Sequence, residues 1–233
     1  MATGTRALAP PRAAAIAGIL FAVLMSCSLV IARLSLPHTR AEVQDWINDP
    51  SRRNAAKLAV NLAPFAGIAF LWFIGVVRNR VGELEDRFFA TVFFGSGLLF
   101  VASLFASAAF SGALIESVDD ALGSINPDGY YLARRLGAAF LNVFAVKMAS
   151  VFMMSASMIM LRTGIVARWV PYSGFASAAF LIVIVTNWPW IALLFPLWIL
   201  VVSAYILVEN LRTRTVPEIP HLGETELTGG SRL

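Results

Sequence analysis

The chain has 233 residues, 58% of them hydrophobic and only 14% charged, with a mean hydropathy of +0.75. A soluble protein carries about 25% charged residues, so this composition excludes an ordinary water-soluble domain, and the length suits one membrane-embedded bundle. The formal net charge of +4 accompanies no basic cluster on a polar domain, which argues for helix orientation in a membrane and against nucleic acid as a partner.

Apolar runs taken in chain order predict an all-α, polytopic transmembrane bundle with about six spans. The first is Ala13 to Ala32, preceded by Arg6 and Arg12. Its apolar core exceeds the roughly 7–15 residues of a signal peptide, and no clean Ala-x-Ala site follows, so an uncleaved first span is expected. The second run is Leu58 to Val77 and the third Phe88 to Ile115, the latter long enough to require tilt or overhang. The fourth, Leu136 to Leu161, is interrupted once, by Lys147. From Trp169 to Val208 no charged side chain occurs. At about 1.5 Å per residue this stretch is roughly twice the hydrocarbon thickness, so it predicts two spans, 169–186 and 190–208, joined at Asn187-Trp188-Pro189. Residues 1–12 form a short leading segment. The tail 213–233, with two prolines, two adjacent glycines and few apolar residues, reads as disordered.

With an even number of spans both termini share one side. That side holds Arg6, Arg12, Arg78, Arg80, Arg87, Arg162, Arg168, Arg212, Arg214 and Arg232. The other holds Arg33, Arg40, Arg52, Arg53, Lys57, Arg134 and Arg135. The excess favours cytoplasmic termini. Between the first two spans, Ser35 to Ala56 has room for a short helix, with Asp45-Trp46-Ile47 at the interface. Trp46, Trp188 and Trp190 would then form an outer aromatic belt, and Trp72 and Trp169 an inner one.

Lys147 is the first candidate for function. An ionisable group within a span costs about 2.5–3.5 kcal/mol on insertion scales and should face the bundle or a watery cavity. One reading is an anion or proton site with Asn61 and Asn142 as polar neighbours; the other is a lysine that snorkels or bonds helix carbonyls. Asn61 lies beside Pro64, which frees the carbonyl of Val60 and offers an ion contact or merely a packing kink. Pro196 in the last span carries the same ambiguity. Small residues recur every four positions at Gly18, Ala22 and Ser26, at Ser103, Ser107 and Ser111, and at Gly174 and Ala178. That spacing serves close helix packing, and the serines could also line a polar path or an oligomer contact. The loop with Arg78, Arg80, Glu83, Glu85, Asp86 and Arg87 sets arginines against acids, either ordering a short connection or docking a partner.

Several chemistries find no support in the sequence. The single cysteine, Cys27, allows no disulfide within the chain and no multi-thiol metal site. The two histidines, His38 and His221, fall outside the spans, so no haem or zinc centre and no other cofactor is expected. There is no phosphate-binding Gly-x-x-x-x-Gly-Lys loop, no Gly-x-Ser-x-Gly and no acidic pair within the spans, so no catalytic residue is assigned.

The stretch Arg78-x-Arg80-x-Gly82-Glu83-x-Glu85-Asp86-Arg87-Phe88-Phe89-Ala90-Thr91, followed by Gly95-Ser96-Gly97, resembles a pattern recurrent in small actinobacterial multi-pass membrane proteins of unknown function. Arg162-Thr163-Gly164-Ile165-Val166-Ala167-Arg168-Trp169, with Phe195-Pro196-Leu197-Trp198 and Ser203, is similar to the same group. The resemblance implies six spans in a bacterial inner membrane and carries over no activity. The expectation is therefore a non-enzymatic interaction or assembly component whose partners are the lipid bilayer and a second copy or another membrane protein. The alternative is a small oligomeric transporter or channel with Lys147 near its path, and a lipid-directed enzyme using Arg134 and Arg135 at the headgroup level ranks last.

Overall fold

The computed structural model describes residues 10–37, 39–81, 87–120, 127–164, 166–183 and 190–212. The leading residues 1–9, the loop residues 82–86 and the tail 213–233 lie outside these. Helices account for nearly all described residues, with no strand among them: α1 (Pro10–Ser35), α2 (Arg40–Ile47), α3 (Pro50–Val81), α4 (Arg87–Asp120), α5 (Pro127–Ala139), α6 (Val146–Thr163), α7 (Trp169–Val183) and α8 (Leu194–Arg212). A π-helical turn, Phe140–Ala145, joins α5 to α6 without a break, and one 3-10 turn, Ile191–Leu193, leads into α8. Five helical stretches are long and apolar enough to cross a bilayer: Arg12–Ser35, Pro50–Arg78, Phe88–Ser117, Gly129–Thr163 and Ile191–Leu211. α7 is apolar but shorter, at 15 residues. This is a membrane protein built as an all-α bundle, with five long apolar helices and the apolar α7 among the described residues.

Local signals explain the helix ends. Asp49 caps α3: its Oδ1 accepts from the backbone N–H of Ser51 at 3.0 Å and of Arg52 at 3.2 Å, and Pro50, which lacks an N–H, opens the helix. This start extends the helix eight residues before the apolar run at Leu58. Thr39 caps α2, its Oγ1 accepting from the N–H of Glu42 at 3.4 Å. The last turn of α6 ends at Gly164, whose φ of 63° is left-handed, a region costly for any residue with a Cβ.

Two ends of the bundle can be told apart by contact. At the proximal end, near Pro10, Arg78 lies over the Phe94 ring at 4.8 Å and Arg162 over Phe89 at 4.7 Å. There the N–H of Ala167 also donates to the Tyr205 hydroxyl at 3.2 Å. The distal end holds Ser35, α2, the start of α3 and α5. Between them sits the core. The Phe70 ring meets those of Phe21, Phe100, Phe152 and Phe195 at centroid distances of 4.6 to 5.5 Å, joining α1, α3, α4, α6 and α8. Helices approach closely where the small residues predicted it. A Cβ built on Gly18 would land on the Ser203 hydroxyl, and one on Gly174 would land on the Ser157 hydroxyl and the Trp198 ring.

A second, smaller core lies at the distal end, formed by Trp46, Ala56, Leu114, Ile115 and Tyr130. It corrects one expectation. Trp46 does not belong to an interfacial belt; it is fully buried, because α2 folds back onto α3 and turns its indole inward. Trp72 and Trp169, by contrast, are exposed, at 71% and 55%, as interfacial anchors are.

Candidate functional site

The helix Gly129–Thr163 spans 35 residues, about 52 Å at helical rise, against a hydrocarbon core of about 30 Å. It therefore overhangs, and the overhang builds the site. Tyr130, Arg134, Gly137 and Ala138 of α5, with Leu141 of the π turn, line a cavity of about 190 Å³. The opposite walls come from Ser28, Ala32 and Arg33 of α1, Ala59 and Ala63 of α3, Leu104, Ser107 and Ser111 of α4, and Trp190 and Leu193 ahead of α8. Asn142, on the π turn, completes it. Such turns are frequent at functional sites.

Interhelical hydrogen bonds fix the walls. The Ser28 hydroxyl donates to the carbonyl of Ala59 at 2.7 Å, tying α1 to α3. The Ser107 hydroxyl donates to the carbonyl of Gly137 at 2.8 Å, tying α4 to α5. A Cβ on Gly137 would sit 3.3 Å from the Ser111 hydroxyl, so the glycine sets how near α5 comes to the serine stripe. Two guanidiniums, Arg33 and Arg134, line the cavity, and no carboxylate is among its described lining residues. Tyr130 is 3% exposed, and its hydroxyl has no hydrogen-bond partner among the described residues. Below the cavity, Met25, Leu141 and Ala192 form its floor and also edge a void of only about 10 Å³ that borders Phe100 and Phe195 of the aromatic core.

The residues singled out in the sequence separate in space. Asn142 lines the cavity. Lys147 turns the other way: its Nζ donates to the carbonyls of Leu181 at 2.8 Å and Ile182 at 2.6 Å. These oxygens lie in the last described turn of α7. The ammonium thus ties α6 to the backbone of α7. Its depth is also shallower than the apolar run implied, since Lys147 lies about 24 Å along the helix from Thr163, near the distal edge of the hydrocarbon. Asn61 and Pro64 are exposed on α3 and do not line the cavity. Pro196 is buried in α8. Of the serine stripe, Ser107 and Ser111 reach the cavity, while Ser103 donates to the carbonyl of Leu99 in its own helix. Of the charged loop, Arg78 rests over Phe94; Glu83, Glu85 and Asp86 lie outside the described residues, as do the side chains of Arg80 and Arg87.

Arg33 and Tyr130 were not among the sequence candidates. Arg33 reads as the flank charge of a span, and Tyr130 precedes the apolar run. The available signal was the helical spacing of Tyr130 and Arg134, four residues apart and continuous with Gly137, Ala138 and Leu141. Among the described residues no group of three or more His, Cys, Asp or Glu gathers as a metal would require. The chain matches no protein-family model, no curated protein and no solved structure.

Proposed function

We propose that this chain is a non-enzymatic, multi-pass protein of the bacterial cytoplasmic membrane, with both termini cytoplasmic, that works by holding a partner or ligand rather than by converting one. The observation that carries this reading is the distal cavity. It gathers cations, hydroxyls and apolar walls, which recognise and retain, and it sets no base beside a nucleophile, which turnover needs. Kinship with the actinobacterial membrane proteins that the sequence resembles is in keeping with this, and so is assembly through the Arg78–Arg87 connection.

The test is native mass spectrometry of the protein released in native lipid particles. A non-covalent mass that stays with the protein, and leaves unchanged after prolonged incubation, is the expected result. Conversion of that mass into a product would sink the non-enzymatic reading. Charge reversal at Glu83, Glu85 and Asp86 is expected to release any protein partner bound through the connection; a partner retained by the variant does not dock there.

A second reading, a small oligomeric transporter or channel, draws on Asn142 lining the cavity five residues before Lys147. Lys147→Met is expected to abolish flux in that case while the protein still folds. Undiminished flux would remove Lys147 from any path.

A further inference from the structure

Resting on the binding reading above, we infer that the distal cavity is a site for an anionic phospholipid. The phosphate lies between Arg33 and Arg134, the Tyr130 hydroxyl donates to it, and one acyl chain enters among Met25, Leu104 and Leu141. Three independent observations converge on this ligand.

The first is sign and shape. Two guanidiniums from different helices line one cavity, with no carboxylate among its described lining residues. Guanidinium remains charged at any ordinary pH and matches a phosphate with paired N–H donors. The second is the orphan hydroxyl. Tyr130 is 3% exposed, lines the cavity, and its hydroxyl has no hydrogen-bond partner among the described residues. A buried phenol normally finds one, and a ligand oxygen at this position supplies it. The third is depth and size. Counted along the helices, Arg33 lies about 32 Å from Arg12, and Arg134 about 44 Å from Thr163. Measured from the proximal edge of a hydrocarbon core about 30 Å thick, the distal headgroup layer runs to about 35–37 Å, so Arg33 falls within it and Arg134, on the overhanging helix, reaches its outer side. A volume of about 190 Å³ holds roughly six groups of water or methylene size, too few for a whole lipid. The ligand therefore inserts only its headgroup-proximal part and leaves the rest in the bilayer, as a resident lipid does and a free metabolite does not.

The experiment is native mass spectrometry of the purified full chain titrated with phosphatidylglycerol or phosphatidylcholine of identical acyl chains. A parallel series with inorganic phosphate alone is read by thermal shift. The wild-type protein is expected to bind the first phosphatidylglycerol about tenfold more tightly than the first phosphatidylcholine, the scale of one charge-assisted contact set. R33Q/R134Q is expected to bring the two lipids within about twofold of each other, while R162Q at the proximal end keeps the preference. Should the double variant not fold, Y130F, which keeps the ring in place, serves instead and is expected to weaken phosphatidylglycerol about threefold or more and phosphatidylcholine not at all. Equal retention of both lipids by the wild type overturns the anionic assignment and leaves the binding reading standing. Retention of neither lipid nor any other mass overturns both. Stabilisation by phosphate alone equal to that by the lipid assigns the site to a free anion and overturns the lipid.

Discussion

Around Phe70, rings from five helices interlock at centroid distances of 4.6 to 5.5 Å, whereas a little further along the same helices the distal end encloses about 190 Å³ and leaves a tyrosine hydroxyl without a partner. The core is apolar and tightly filled. The distal end is held apart by hydrogen bonds from Ser28 and Ser107 and kept polar inside. Lipid tails are as apolar as leucine, so burial alone does not hold helices together in a bilayer, and close packing has to. An open cleft of this size gives up that packing, and it lies at one end while the aromatic core fills the middle of the bundle. On the proposed reading, stability and binding fall to different regions of the bundle.

Substitutions test that division. The largest effect is expected from Phe70→Ala, about 3 kcal/mol, near the low end for buried phenylalanine because the lost ring is also well solvated by lipid. Reversible unfolding in mixed micelles checks it, and a loss below about 1 kcal/mol would mean that the core is no better packed than the cavity. Gly174→Leu comes next, at roughly 2 kcal/mol from overpacking against Ser157 and Trp198, read in the same assay. Lys147→Met removes the tie between α6 and the carbonyls of Leu181 and Ile182 on α7; roughly 1–2 kcal/mol is expected, with faster proteolysis in α7. An unchanged protease pattern would show that α7 is held without it. The smallest effect belongs to the cavity. Tyr130→Phe removes a hydroxyl that costs desolvation and returns nothing in the lipid-free protein, so stability should stay the same or rise by about 1 kcal/mol. A clear loss would place Tyr130 with the core and erase the contrast.

The class of the molecule was legible in composition and in uncharged runs such as Trp169 to Val208, because a bilayer imposes length and polarity on every span. Helix ends were less legible. Arg52, Arg53 and Lys57 read as loop, yet the Asp49-Pro50 start carries α3 through them, since beyond the hydrocarbon charge no longer argues against helix. Arg134 and Arg135 concealed the continuity of α5 with α6 for the same reason. Trp46 read as interfacial because aromatic belts are common, while its burial depends on α2 folding back, a tertiary fact. The candidate site was half visible. Asn142 and the serines at 107 and 111 stand out as polar groups in apolar runs. Arg33 looks like any flank charge until α5 is brought opposite. Lys147 stood out most, and its partners are backbone oxygens from α7, which no side-chain pattern reveals.

The π turn at Phe140–Ala145 sets a phase as well as a shape. One residue in an α-helix advances the face by about 100°, so a single extra residue accommodated in a π turn offsets everything before it from everything after it by that angle. Tyr130 and Arg134 belong to one phase, and Ala149, Phe152 and Met153 of the core to the other. Deleting one residue there would straighten the register into plain α-helix and swing the arginine and the tyrosine away from the cavity while the core stayed in place. The frame of the chain at this turn, more than the identity of any residue in it, keeps the two regions aimed at their separate tasks.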